Sequence, residues 1–257
     1  MMIAGTHSGC GKTTVTLGIL AALKKRGFNV QPFKAGPDFI DAGLHRHITG
    51  RPSRNLDLWM CGEEYVKKCF CKYSQDANIA VVEGVMGMFD GEYSTARLAG
   101  FLDLSVILVV DSYGMAESAG AVVKGFAEYS NSLPNIAGVI FNRVASEKHF
   151  ERLKESVCDV EVLGYLPRDL NFEIPHRHLG LSVAEETPIA NENIERLADA
   201  VLEHVDVERM LELTNTSIAP SFPLVGNLSH DCKEGLRTSR NDKKIRIAIA
   251  YDKAFCF

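Results

Sequence analysis

The decapeptide GTHSGCGKTT, residues 5–14, closes the apolar run MMIAG and opens a stretch of helical periodicity over 13–25. A strand, a glycine-rich turn and a helix in that order are the context a phosphate-binding loop requires. The pattern G-x-x-x-x-G-K-[ST] puts its first glycine at position 6, where this chain has Thr6, so Gly5 stands one place early. The shift alters the entry to the loop and leaves the G-K-T core intact. Gly5, Gly9 and Gly11 let backbone N–H groups turn inward around phosphate oxygens, and the helix starting near Lys12 adds its positive end. Gly9, Cys10, Gly11, Lys12, Thr13 and Thr14 are therefore expected to hold a nucleotide. Lys12 reaches the β and γ phosphates and the Thr13 hydroxyl binds Mg²⁺. The plainer alternative is a glycine-rich turn ahead of a helix.

Outward from the loop, short apolar runs alternate with helical patterns. The runs are NVQPF, IAVVE, LSVILVVD, IAGVIFN and VEVLGYL; the helices fall near 65–73, 116–129 and 147–156. Strict alternation implies an α/β fold, a mostly parallel sheet with helices on both faces. The Val and Ile content of SVILVV suits a central strand buried on both sides. Ligands of such sheets gather beyond the carboxyl ends of the strands, and the chemistry is sought there. After Ala190 two further helices, 192–204 and 207–213, lead into a Ser-, Asn-, Pro- and Gly-rich stretch over 214–241, a linker composition. KKIRIAIAYDKAFCF then reads as the first strand of another domain.

Among 257 residues 46% are hydrophobic and 24% charged, a globular composition. The formal net charge of -5 provides no overall basic field for nucleic acid or acidic membrane, so small-molecule partners are expected. Seven scattered cysteines without C-x-x-C pairs read as reduced thiols of a cytoplasmic protein, and Cys69 and Cys71 as ordinary packing. No basic-then-apolar leader and no apolar run of about 18 residues is present, so neither secretion nor membrane spanning is expected.

Two strands end in an acid. Glu83 leads into GVMGMFDG with a further acid at Asp90, whereas Asp111 leads into Ser112 and a helix, where capping explains it. The metal role is assigned to Glu83. FKAGPDFIDAGLH follows the second strand and carries Asp38 and Asp41 after a Gly-Pro turn. A solvated loop pair is the bland reading; proximity to the phosphate loop lifts it, since this strand is expected to lie beside the loop strand. Asn142 of IFNRV can pair with adenine N6 and N7, or cap the next helix.

KAGPDFID, GRPSRNLDLWM, VVEGVMGMFDG, GVIFNRV, LGYLPR and PHRHLGL, six blocks in order between Met1 and about residue 186, resemble the cobyrinic acid a,c-diamide synthase family. That family includes the nickel-sirohydrochlorin a,c-diamide synthase of coenzyme F430 synthesis. The resemblance implies a three-layer P-loop NTPase fold like that of dethiobiotin synthetase. It divides the chain into an ATP-binding synthetase domain (1–190), a helical extension and linker (191–242) and the first strand of a class I glutaminase domain (243–257). It implies an ATP-dependent ligase: ATP phosphorylates an acetate carboxylate of a tetrapyrrole, and ammonia displaces the phosphate, twice in succession. Mg²⁺ would be held by Thr13, Asp38 and Glu83, with Asp41 and Asp90 where carboxylate and ammonia meet. Pro167 and Arg168 would border the nucleotide. Arg51, Arg54, Arg177, His178 and Leu179 would approach the substrate, although Arg54 and His178 could equally pair with internal acids. Trp59 is expected to pack rather than stack on the ring. The family's ammonia comes from glutamine; Cys256, in an opening strand, is not the nucleophile, and the 257 residues alone are expected to use free ammonium. A homodimer is plausible on resemblance alone.

Two rivals share the loop. A dethiobiotin-synthetase-like ligase has no need of GPDFID, RHLGL or the linker. A partition-type ATPase would carry its signature lysine at position 7, where this chain has His7, and makes no use of Asp38, Asp41 and Asp90.

Overall fold

The computed structural model describes residues 1–129, 134–170 and 189–214. The blocks after Leu170, with Arg177, His178 and Leu179, and the linker and final strand with Cys256, lie outside the described residues. Seven strands form one parallel sheet: β1 (Met2–Gly5), β2 (Val30–Ala35), β3 (Arg54–Leu56), β4 (Ile79–Glu83), β5 (Val106–Asp111), β6 (Ile136–Val144) and β7 (Glu161–Pro167). The helices are α1 (Lys12–Lys25), α2 (Phe39–Thr49), α3 (Gly62–Ser74), α4 (Thr95–Phe101), α5 (Ser118–Glu128), α6 (Glu147–Glu155), α7 (Asn191–His204) and α8 (Val207–Thr214). Two apolar clusters cover the two faces of the sheet, one built on Leu17, Leu20, Ile107 and Val201, the other on Phe33, Val82, Leu108 and Phe141. This is the doubly covered α/β arrangement the alternation predicts.

The strand order is β3-β2-β4-β1-β5-β6-β7, and it corrects one expectation. β2 does not adjoin β1; β4 lies between them, pairing Ile3 with Glu83 on one side and Lys34 with Glu83 on the other. The inserted strand is what carries Glu83 to the mouth of the loop. Three elements went unread in the sequence: α2, whose Gly43 and Asp-rich start resemble a turn, the three-residue edge strand β3, and short α4.

The boundary expected at residue 190 falls inside the compact unit, which takes in α7 and α8. α7 buries Leu197, Ala198 and Val201 against α1, where Gly18 leaves room for the Val201 and Leu197 side chains. Lys25 bonds Glu195 and Asp199 at the rim, pairs that contribute little in water. The buried apolar side chains of α7 and α8, Leu197, Val201, Val207 and Met210, contribute about 1.5–3 kcal/mol each. That sum is comparable to the whole stability of a domain, about 5–15 kcal/mol. A fragment ending at residue 190 is therefore expected to lack cooperative urea unfolding, while one ending at 216 retains it. Among the described residues no helix is long and apolar enough to cross a membrane.

Candidate functional site

The loop between β1 and α1 explains its displaced glycine. A Cβ on Gly5 would stand 2.3 Å from Cys10 Sγ and 2.7 Å from Lys12 Cγ, so the side chains of the loop close over position 5 rather than 6. At the far end Gly11 has φ +91°, and a Cβ there would stand 1.9 Å from Asn142 Nδ2. Asn142, buried at the end of β6, donates that nitrogen to the Cys10 carbonyl at 3.0 Å. Its amide thus braces the loop from below.

The loop after β4 braces it from the side. Gly84 N–H donates to Ile3 O and Met88 N–H to Gly5 O, both at 2.8 Å. Met86 adopts φ +49°, a left-handed conformation, and its carbonyl accepts from Lys12 Nζ at 2.5 Å. Lys12 is thereby held across the mouth of the loop. Asp90, exposed, accepts from Gly87 N–H at 2.8 Å and shapes the same turn. Thr14 is half-buried in the first turn of α1, and His7 is an exposed loop residue whose Nδ1 lies 3.0 Å from Thr6 Oγ1.

Beyond Lys12 lies a buried ionic cluster. Thr13 Oγ1 donates to Glu83 Oε1 at 2.7 Å and stands 3.5 Å from Asp41 Oδ2. Lys34 Nζ donates to Asp41 Oδ2 at 2.7 Å, Glu83 Oε1 at 3.0 Å and Gly84 O at 3.2 Å. His45 Nε2 lies 2.7 Å from Glu83 Oε2; a carboxylate only accepts, so the ring donates there, and its Nδ1 stands 3.1 Å from Ser53 Oγ. Burial alone would raise the pKa of Glu83. The Lys34 charge, the hydrogen bond and charge of His45 and the Thr13 hydroxyl outweigh it and hold the carboxyl well below the usual range. Asp41 is shifted the other way by burial and the Glu83 charge, with Lys34 offsetting part. Lys34 is raised: burial works against its charge, but Glu83 and Asp41 prevail.

Asp38 occupies a different position. It caps α2, its Oδ1 accepting from Ile40 N–H at 3.0 Å and Asp41 N–H at 3.3 Å. Asp41, in the first turn of the helix, is the acid brought toward Thr13. The rival strand-end acid, Asp111, instead grips the Arg143 guanidinium, Nε to Oδ1 at 2.7 Å, and accepts from Tyr113 N–H at 3.1 Å. At the end of β7, Pro167 pairs with Val144 and the Arg168 guanidinium stands 4.6 Å from the Tyr113 ring centre, one strand beyond Asn142.

One further expectation parts from the structure. Trp59 does not pack: it is 72% exposed, because Asp57 Oδ1 holds the Trp59 and Met60 N–H groups in an outward turn. Arg51 is a brace, bonded to Gln31, Asn29 and Asp76. Arg54, exposed, lies over the Tyr73 ring at 4.5 Å. Lys34 and His45 were missed altogether. The available signals were a lysine at the end of a strand otherwise buried, and the i,i+4 spacing of Asp41 and His45, which shares one helical face.

A hydroxyl and two carboxylates are hard donors that suit Mg²⁺. Among the described residues no group of three or more His, Cys, Asp or Glu could hold a metal unaided. The set fits an ion that takes its remaining ligands from phosphate and water, as Mg²⁺ does.

The model of the family described as CobQ/CobB/MinD/ParA nucleotide binding domain matches residues 1–181. Over its full length the chain is 42% identical to the cobyrinate a,c-diamide synthase of Caldanaerobacter subterraneus subsp. tengcongensis, covering 55% of that protein. It is 43% identical to that of Syntrophotalea carbinolica, covering 56%, and 47% identical to that of Listeria monocytogenes serotype 4b, covering 57%. The chain spans about half the length of the curated relatives it matches.

Proposed function

Since the chain belongs to the CobQ/CobB/MinD/ParA nucleotide-binding-domain family, we propose that it is the synthetase part of a cobyrinate a,c-diamide synthase. It activates the a and c acetate carboxylates of a tetrapyrrole with ATP for amidation. The observation that carries this reading is the cluster of Thr13, Asp41, Glu83 and Lys34 at the mouth of a phosphate loop, in a chain 42–47% identical to synthases of that name.

A carboxylate is a poor acyl donor because its leaving group would be oxide. Attack of the substrate carboxylate oxygen on the γ phosphorus, with loss of ADP, makes an acyl phosphate. Ammonia then adds to the acyl carbon, and phosphate leaves. The protein's contribution to such a transfer is positioning and charge. The loop N–H groups and Lys12 counter charge on the γ phosphoryl group, for which Lys12 leaves the Met86 carbonyl. Thr13 and Glu83 would hold Mg²⁺, which when bound would supply Lewis-acid neutralisation of the phosphates. The 3.5 Å approach of Asp41 to Thr13 favours it over the helix-capping Asp38 as the second carboxylate. Asp38 and Asp90 are then the acids left to orient carboxylate and ammonia. Asn142, Pro167 and Arg168 form the base side of the site, with Asn142 chiefly anchoring the loop.

Ammonia is drawn from glutamine by a glutaminase domain, of which 243–257 resembles the opening strand, and the assembly is a cytoplasmic enzyme of cobalamin synthesis, with a homodimer compatible. A nickel-sirohydrochlorin substrate is the nearest alternative, because its carboxylates are alike. The chain incubated with ATP, Mg²⁺, ammonium and each ring in turn is expected to yield two successive replacements of hydroxyl by amino in the mass spectrum. A folded, ATP-bound chain that amidates no ring overturns the reading.

A further inference from the structure

Lys34 and Thr13 touch the same two oxygen atoms. Lys34 Nζ stands 3.0 Å from Glu83 Oε1 and 2.7 Å from Asp41 Oδ2; Thr13 Oγ1 stands 2.7 Å and 3.5 Å from that same pair. The Lys34, Asp41 and Glu83 side chains are 3%, 4% and 0% exposed, so water does little to screen them. Resting on the reading of this cluster as the metal site, we propose that Lys34 is a built-in counter-ion. It occupies the divalent cation's side of Glu83 and Asp41 in the nucleotide-free chain and yields it only when phosphate arrives.

Two buried carboxylates sharing a site repel, and a buried charge left unpaired is costly. Lys34 removes that cost, and Gly84 O takes a third proton of the ammonium at 3.2 Å. A divalent ion coming alone to the same oxygens meets the ammonium at contact distance in a site of low dielectric, where like charges repel strongly. Displacing Lys34 would then strand a buried cation. Bound phosphate changes this balance: it adds negative charge beside the loop, and the four-carbon stem of lysine lets the ammonium turn toward it. Glu83 keeps its place during the exchange, because Oε2 stays bonded to His45, itself set against Ser53. Metal and nucleotide therefore bind together, and metal alone is disfavoured.

Mn²⁺ binding, read by electron paramagnetic resonance of the free ion, tests this on the full chain. Wild type without nucleotide is expected to bind Mn²⁺ at least about tenfold more weakly than with ADP, a scale set by one buried charge. Lys34→Met should gain at least about tenfold in nucleotide-free affinity, and Lys34→Arg, which keeps the charge, should not. Because Lys34→Met leaves two carboxylates facing each other, its thermal midpoint is measured in parallel. Mg²⁺ alone should raise that midpoint and leave the wild-type value unchanged. Wild type that binds Mn²⁺ as tightly without ADP as with it overturns the proposal. So does a Lys34→Met chain that gains no metal affinity, or one that stays unfolded in Mg²⁺. Failure of wild type to bind ADP with Mg²⁺ at all would instead overturn the nucleotide-site reading beneath it.

Discussion

Glu83→Gln is expected to lower ATP-dependent amidation by about 10²–10³-fold, the scale on which one oriented charge or donor acts in a transition state. Glu83 accepts from Thr13 and Lys34 on Oε1 and from His45 on Oε2, with no exposure to water. The amide keeps the shape but removes the charge, so Thr13 loses its ionic partner and Lys34 is left to Asp41. Breaking one side of a buried pair costs about 3–5 kcal/mol, so the variant should also unfold at lower urea. The pH dependence supplies a control. A carboxyl held below its ordinary 4.5 contributes stability that is full above that value and fades as pH falls below it. Asp41, shifted upward, acts in the opposite sense. The acid limb of wild-type stability below about pH 4.5 should therefore flatten in Glu83→Gln. Urea titrations across that range decide it: an unchanged acid limb would show that Glu83 is not held as described.

Gly11→Ala is expected to abolish measurable nucleotide binding by equilibrium dialysis. Two costs combine at this position. With φ +91°, any L side chain meets the following carbonyl, about 1–2 kcal/mol. The added Cβ would also stand 1.9 Å from Asn142 Nδ2, forcing away the amide that bonds Cys10 O at 3.0 Å. The loop then loses the brace that aims its N–H groups. Adding Asn142→Ala separates the terms, since it removes the clash and leaves the backbone strain. The double variant should bind more tightly than Gly11→Ala alone, a non-additivity expected of residues in contact. A double variant that binds no better than Gly11→Ala would show that the clash with Asn142 is not what disables the loop.

Loop and alternation were legible because they rest on near neighbours. G-K-T between an apolar run and a helical pattern needs only adjacent residues, whereas the reading of Asp111 as a helix cap needed a partner far along the chain. Asp111 proves to be the partner of Arg143, thirty-two residues on. The helix at 39–49 was hidden by its capping: Asp38 reads as a turn residue, and it is the cap itself that turns Asp41 inward.

Sequence alone determined that a parallel α/β sheet carries a phosphate loop at its amino-terminal strand, because turn chemistry and periodicity are local. Only tertiary structure decided which side chains gather beside the loop. The insertion of β4 between β1 and β2 sets Lys34 beside Glu83, although 49 residues of chain separate them. Burial there makes the two acids depend on a lysine and a histidine whose local patterns do not say which acid they meet, since the free energy of a charge is set by what surrounds it in space.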